Sequence, residues 1–233
     1  MKKKRNLLPA GLKLIVLAAL LHFFGVLVTF FAGGKKVVNF NLILHLLRFF
    51  SWWSVHTSIL TIWAAILVFR EREKSVSYFS QFITFLAVIY NLITFFFWIY
   101  CLFFLSVGWE NSWFLNIQSV LWHVAAPLAT LVYFYFYAWV VELSRKLVKT
   151  LLFAFISPLF YFFYVWILAK INVGASSSLF PYIEKYPYRI FELIVEREWN
   201  WFIVNSLASC LVYFLICCLI IWTKWLGEKV KTN

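Results

Sequence analysis

The sequence predicts an all-α fold, an integral membrane bundle of six transmembrane helices with both termini cytoplasmic. Three observations predict it. Of 233 residues, 64% are hydrophobic and only 13% charged, whereas soluble domains carry about 25% charged residues. The apolar residues fall in runs of about 20 or more, the length needed to cross roughly 30 Å of hydrocarbon. The cations gather at the ends of those runs, on alternate sides of the bilayer.

The first span is predicted over residues 10–32. Lys2-Lys3-Lys4-Arg5 precedes it in the manner of a signal peptide, but the apolar stretch Leu14 to Phe31 exceeds the usual 7–15-residue core of one, so an uncleaved span is expected. The second span covers 47–69 and stops at Arg70-Glu71-Arg72-Glu73-Lys74. The third covers 78–106 and is long enough to tilt. The fourth, fifth and sixth cover 115–141, 147–171 and 201–225. Residues 172–200 form an external loop containing Tyr186-Pro187-Tyr188, and Tyr188 to Trp199 has the pattern of a short amphipathic surface helix. One membrane domain, residues 1–233, accounts for the chain.

With the N-terminus inside, Lys2, Lys3, Lys4, Arg5, Lys13, Arg70, Arg72, Lys74, Arg145, Lys146, Lys149, Lys224, Lys229 and Lys231 are cytoplasmic. Lys35, Lys36, Arg48, Lys170, Lys185, Arg189 and Arg197 are external. The excess of cations inside supports that orientation and predicts a cell-membrane, multi-pass protein.

Several function classes are excluded or disfavoured. The net charge of +12 sits at span ends, where it meets lipid headgroups, so nucleic acid is not an expected partner. There is no Asp, which removes EF-hand loops and a Ser–His–Asp triad. Cys101, Cys210, Cys217 and Cys218 lie in apolar segments without paired metal-ligand spacing, so no metal and no cofactor is expected.

The informative residues are the polar ones at membrane depth. Ser51, Ser54, Thr57, Ser58 and Thr61 share one face of the second span, at spacings of three and four. Asn116, Ser119, His123 and Thr130 stripe the fourth, with Pro127 between the last two. The third offers Ser80, Thr84, Asn91 and Thr94, and the sixth Asn205, Ser206 and Ser209. Ser and Thr also serve as packing residues between membrane helices. A buried imidazole is more telling, because it needs partners.

Ser54 and His123 lie at one depth, roughly 10–12 Å below the outer boundary at 1.5 Å per residue. Parallel helices could bring that hydroxyl and imidazole together as a base-activated nucleophile. His22, about 15 Å below the outer end of the first span, and His56 compete for the role, while His45 is interfacial. Thr57, Ser58, Asn91 and Ser119 are candidate substrate-binding groups, the first three as oxyanion donors. Ala18-Ala19 with Gly25 is a weak small-residue docking pattern.

The run Arg48-Phe49-Phe50-Ser51-Trp52-Trp53-Ser54-Val55-His56-Thr57-Ser58-Ile59-Leu60 resembles the second-helix signature of the androgen-induced and androgen-dependent TFPI-regulating membrane proteins and their bacterial relatives. Leu121-Trp122-His123-Val124-Ala125-Ala126-Pro127 is similar to that family's fourth-helix His and Pro. Ser157-Pro158-Leu159-Phe160-Tyr161 is similar to its fifth-helix Pro and Tyr. Tyr186-Pro187-Tyr188-Arg189-Ile190-Phe191-Glu192 is similar to its external segment. The resemblance implies a six-helix hydrolase of fatty acyl esters, with the family's nucleophilic Thr falling on Ser54 and its His on His123. Ser replaces Thr, which keeps the hydroxyl. Ser58 stands where bacterial relatives have Asn, and Glu192 where they have Asp.

Three readings follow: an intramembrane lipid-ester hydrolase, a non-enzymatic binding subunit of the kind that captures substrate for a vitamin transporter, and a structural membrane protein. Membrane lipids are the expected partners. No partner protein is specified.

Overall fold

A computed structural model of the chain describes residues 8–34, 50, 53–71, 77–104, 113–138, 141–174 and 198–230. Almost all of the described residues are helical and none is in a strand, and six of the helical segments are long and apolar enough to span a membrane. The protein is therefore a multi-pass membrane protein, because only intra-segment hydrogen bonding satisfies a helical backbone in lipid. The predicted external loop is described only at its ends, where 172–174 and 199–200 are helical; residues 175–197, the cationic N-terminus, Ser51 and His45 lie outside the described residues.

The helices are α1 (Leu8–Gly34), α2 (Trp53–Arg70), α3 (Tyr78–Phe104), α4 (Trp113–Val120), α5 (Ala126–Phe136), α6 (Val141–Arg145), α7 (Leu147–Gly174) and α8 (Trp199–Val230). A π-helical turn, Leu121–Ala125, joins α4 to α5. The fourth predicted span is thus three pieces of one rod, and it ends at Phe136 rather than at 141.

The packing centres on α3. From Gln81 to Asn91 every residue except Phe82 is buried, and a helix apolar on all sides belongs inside a bundle. Its entry from the charged end is capped: Ser77 Oγ accepts from the Ser80 N–H at 3.2 Å, and the Glu71 carboxylate accepts from the Ser77 N–H and hydroxyl. Against α3 lie α2 and α5, and α7 pairs with α8 at the rim.

Helix α1 packs against α2, the π turn and α5. Its buried residues among 10–28 are Gly11, Ile15, Ala18, His22 and Gly25. The alternating spacing of four and three is the 3.5-residue seam of left-handed helix pairs. Small side chains let the helices approach closely. A Cβ on Gly11 would lie 2.7 Å from Tyr137 Cβ, and one on Gly25 would lie 2.6 Å from two atoms of the Trp122 ring. The seam carries one polar residue, His22.

The fourth rod explains its own π turn. Among its buried residues, Gln118, Trp122, Ala126, Thr130 and Phe134 recur every four positions, with Pro127 and Tyr133 buried beside them; a straight α-helix would rotate the every-four set off the core by about 40° per turn. A π turn takes up the extra residue. Pro127 supplies the local cause, since it has no N–H to give the preceding turn. The Ala126 N–H reaches back five residues to the Leu121 carbonyl.

Candidate functional site

The polar stripe on α2 turns inward as one face: Ser54, Thr57, Ser58 and Thr61 are all buried. The Ser58 and Thr61 hydroxyls lie within hydrogen-bonding distance of carbonyls four residues back, Ser54 at 2.8 Å and Thr57 at 2.9 Å. This is the usual retreat of hydroxyls in apolar helices. Their remaining capacity faces α1, α3 and the π turn.

His22 enters that face from α1 and is fully buried. Its Nδ1 lies 3.0 Å from Ser58 Oγ, and its Nε2 lies 2.9 Å from Asn91 Oδ1. The Asn91 amide nitrogen is 2.8 Å from the Ala87 carbonyl and 2.8 Å from Thr61 Oγ1. A carbonyl only accepts, so the amide orientation is fixed and Oδ1 faces the imidazole. Hence His22 Nε2 carries the proton and Nδ1 presents a lone pair to Ser58.

Trp122 closes the cluster from the π turn. Its indole Nε1 is 2.8 Å from Ser58 Oγ and 3.1 Å from His22 Nδ1. Four parts of the bundle therefore meet in one hydroxyl, one imidazole, one amide and one indole. His22 and Asn91 sit at or beside the midpoints of α1 and α3. Ser58 is twelve residues from Arg70, or about 18 Å along α2. The cluster lies deep in the apolar layer.

The predicted site residues divide into three groups. Ser58 and Asn91 join His22, the imidazole that the sequence offers as a competitor. Ser119 joins His123: Nδ1 of His123 lies 2.9 Å from the Ser119 carbonyl and 3.3 Å from its hydroxyl, and the Trp98 indole donates to that hydroxyl at 3.0 Å. Nδ1 thus holds the proton and Nε2 is bare, the opposite tautomer to His22. The half-buried ring stacks parallel to Trp98 at 5.9 Å. Thr57 meets Thr94 at 2.8 Å.

Ser54 is buried, and its carbonyl lies 2.8 Å from Ser58 Oγ. No hydrogen bond joins Ser54 to His123 among the described residues. His56 turns away from the cluster, donating to the Phe50 carbonyl at 2.6 Å and packing on Tyr161 and Tyr164.

Sequence reasoning names Thr61 in the α2 stripe and Trp122 within the fourth-helix run but gives neither a role. Trp122 has a sequence signal only in hindsight of the bend: it stands five residues before Pro127 and beside the stripe drawn through Ser119 and His123.

The arrangement has the parts of a hydroxyl nucleophile, a base and a residue that orients the base. Among the described residues no group of three or more His, Cys, Asp or Glu is placed to hold a metal ion. Protein-family models, curated proteins and solved structures give no match to the chain.

Proposed function

We propose that the protein is an intramembrane hydrolase of lipid (fatty acyl) esters, with Ser58 as nucleophile, His22 as base and Asn91 as the group that orients it. The observation that carries this reading is the contact of Ser58 Oγ with His22 Nδ1 at 3.0 Å, with Nε2 fixed on Asn91. As Oγ attacks the acyl carbon, its proton passes to Nδ1 and the carbonyl electron pair moves to oxygen. Collapse expels the alcohol, which takes the proton back, and water then cleaves the acyl-Ser58 ester. The depth of the cluster favours a substrate dissolved in the bilayer. Ser58 is fully buried, so an ester reaches it by displacing a neighbouring side chain. The resemblance in the second and fourth spans supports the same class of reaction, although it falls on Ser54 and His123. The cation distribution supports cytoplasmic termini and the cell membrane.

The complete burial and saturated hydrogen bonding of His22 favour a second reading, a polar clamp that locks α1, α2, α3 and the π turn together. Hydrolysis of a 4-nitrophenyl dodecanoate probe in mixed micelles decides between them. The hydrolase reading expects activity that Ser58→Ala and His22→Ala reduce by on the order of 10³-fold or more. Activity lost only in Ser54→Ala and His123→Ala would move the catalytic pair to those residues. An inactive wild-type protein would leave the clamp.

A further inference from the structure

The hydrogens of the cluster can be counted. Asn91 fixes the proton of His22 on Nε2, so two hydrogens remain, one on the Ser58 hydroxyl and one on the Trp122 indole. Three acceptors lie within reach of them: His22 Nδ1, Ser58 Oγ and the Ser54 carbonyl. Three arrangements use both hydrogens. In one, the indole donates to His22 Nδ1 and Ser58 donates to the Ser54 carbonyl, which leaves the base blocked. In the second, the indole donates to Ser58 Oγ, and Ser58 donates to His22 Nδ1. In the third, the indole donates to Oγ and Ser58 donates to the Ser54 carbonyl, which leaves the buried Nδ1 lone pair without a donor, a cost that the second avoids. The indole contact with Oγ, at 2.8 Å, is shorter than its contact with Nδ1, at 3.1 Å.

We infer that Trp122 is the positioning residue that arms Ser58. Its N–H occupies one lone pair of Oγ, leaves His22 Nδ1 open to the hydroxyl proton, and stabilises the negative charge that Oγ gathers as that proton leaves. A fixed dipole aimed at developing charge in a dry site is the arrangement that lowers a barrier most. The π turn and Gly25 together set the indole there: the first rotates Trp122 onto the core, and the second leaves room for its ring. This role rests on the hydrolase reading.

A long-chain fluorophosphonate tests it, because phosphonylation needs only the activated nucleophile and no later deacylation step. The Oγ–P bond forms, the P–F bond breaks, fluoride departs and the proton goes to His22. Trp122→Phe removes the N–H and keeps an aromatic ring. Its expected effect is a fall of about 10²-fold both in labelling rate at Ser58 and in kcat on the ester, with KM within about twofold. A folded Trp122→Phe protein that labels as fast as wild type, or faster, overturns the arming role and leaves the hydrolase reading intact. A wild-type protein that is neither labelled nor active overturns both. Should Trp122→Phe fail to fold, the ¹⁵N–¹H resonance of the Trp122 indole is compared between wild type and Ser58→Ala. A shift supports the role, and an unmoved resonance overturns it.

Discussion

Gly25 and Trp122 are in contact across the seam between α1 and the π turn, so closely that a Cβ at position 25 would lie 2.6 Å from Cγ and Cδ2 of the indole. Neither side of that contact is free to yield. The indole is held by its bonds to Ser58 and His22, and α1 by the Gly11 contact fourteen residues away. Gly25→Ala is expected to push the ring off both acceptors and to destabilise the bundle by about 1–3 kcal/mol, the usual range for overpacking. Thermal unfolding in detergent measures this. Gly227 is the control, since nothing lies within 4 Å of its Cβ position, and Ala there should raise the unfolding temperature slightly through helix propensity. Equal behaviour of the two variants would mean that the seam is looser than the contact implies.

Asn91→Leu tests how the cluster holds together. The substitution keeps an apolar side chain of similar size on α3 but removes the acceptor for His22 Nε2 and the donor to Thr61. A buried imidazole N–H left without a partner costs about 1–3 kcal/mol. The double variant Asn91→Leu with His22→Leu removes both ends of that bond. It should unfold at a higher temperature than the sum of the single effects, because it leaves no orphaned N–H. Strict additivity in unfolding measurements would show that the two side chains are not coupled.

The sequence already contained most of the bundle and half of the cluster. Span length and charge located six helices, and the three-and-four spacing put Ser54, Thr57, Ser58 and Thr61 on one inward face. Depth was legible as well: His22 lies about ten residues from the end of the predicted first span at 32, and Ser58 about eleven from the start of the predicted second span at 47, or about 15 and 16 Å. Depth says nothing of azimuth, however. It pairs Ser54 with His123 as readily as Ser58 with His22, and only the packing of α1 against α2 selects among them. The fourth rod hid Trp122 for a sharper reason. A regular wheel assigns the core face to Ser119 and His123, but the π turn shifts the register by one residue. That rotation sends Trp122 to the centre and His123 to the flank.

Lys224 offers a check on the opposite end of the bundle. It is a cation of α8, 94% buried, and its Nζ donates to the Tyr135 carbonyl at 2.8 Å while lying 5.7 Å from the centre of the Phe134 ring. Tyr135 is in the last turn of α5, where carbonyls lack intrahelical donors and the helix dipole favours positive charge. Lys224→Met keeps the stem and removes the donor. It should cost about 1–2 kcal/mol in unfolding measurements. Glu142→Gln, by contrast, breaks partly exposed pairs with Arg145 and Lys146 at 3.0 and 3.8 Å, and should change stability by less than about 1 kcal/mol. A reversed ranking would contradict the assignment of Lys224 as a cap.

Pro127→Ala asks whether the π turn is imposed by the proline or by the core. Alanine restores an N–H that can reach the His123 carbonyl, so the local reason for a wide turn disappears. If the proline alone held the turn, Leu121–Ala125 would tighten to α geometry and Trp122 would rotate by about 100° relative to α5, one residue's worth of helix. The packing opposes that rotation. Trp122, Ala126, Thr130 and Phe134 are all buried on one side of the rod, and tightening would drive part of that set toward lipid and strip Ser58 of its indole donor. The expected outcome is therefore a retained π turn, reported by an unchanged Trp122 indole resonance, with stability raised by a few tenths of a kcal/mol to about 1 kcal/mol from the better helix former. A resonance that moves to the position of a free indole, together with lost protection of the Ala126 amide, would show instead that a single proline sets the geometry of the whole cluster.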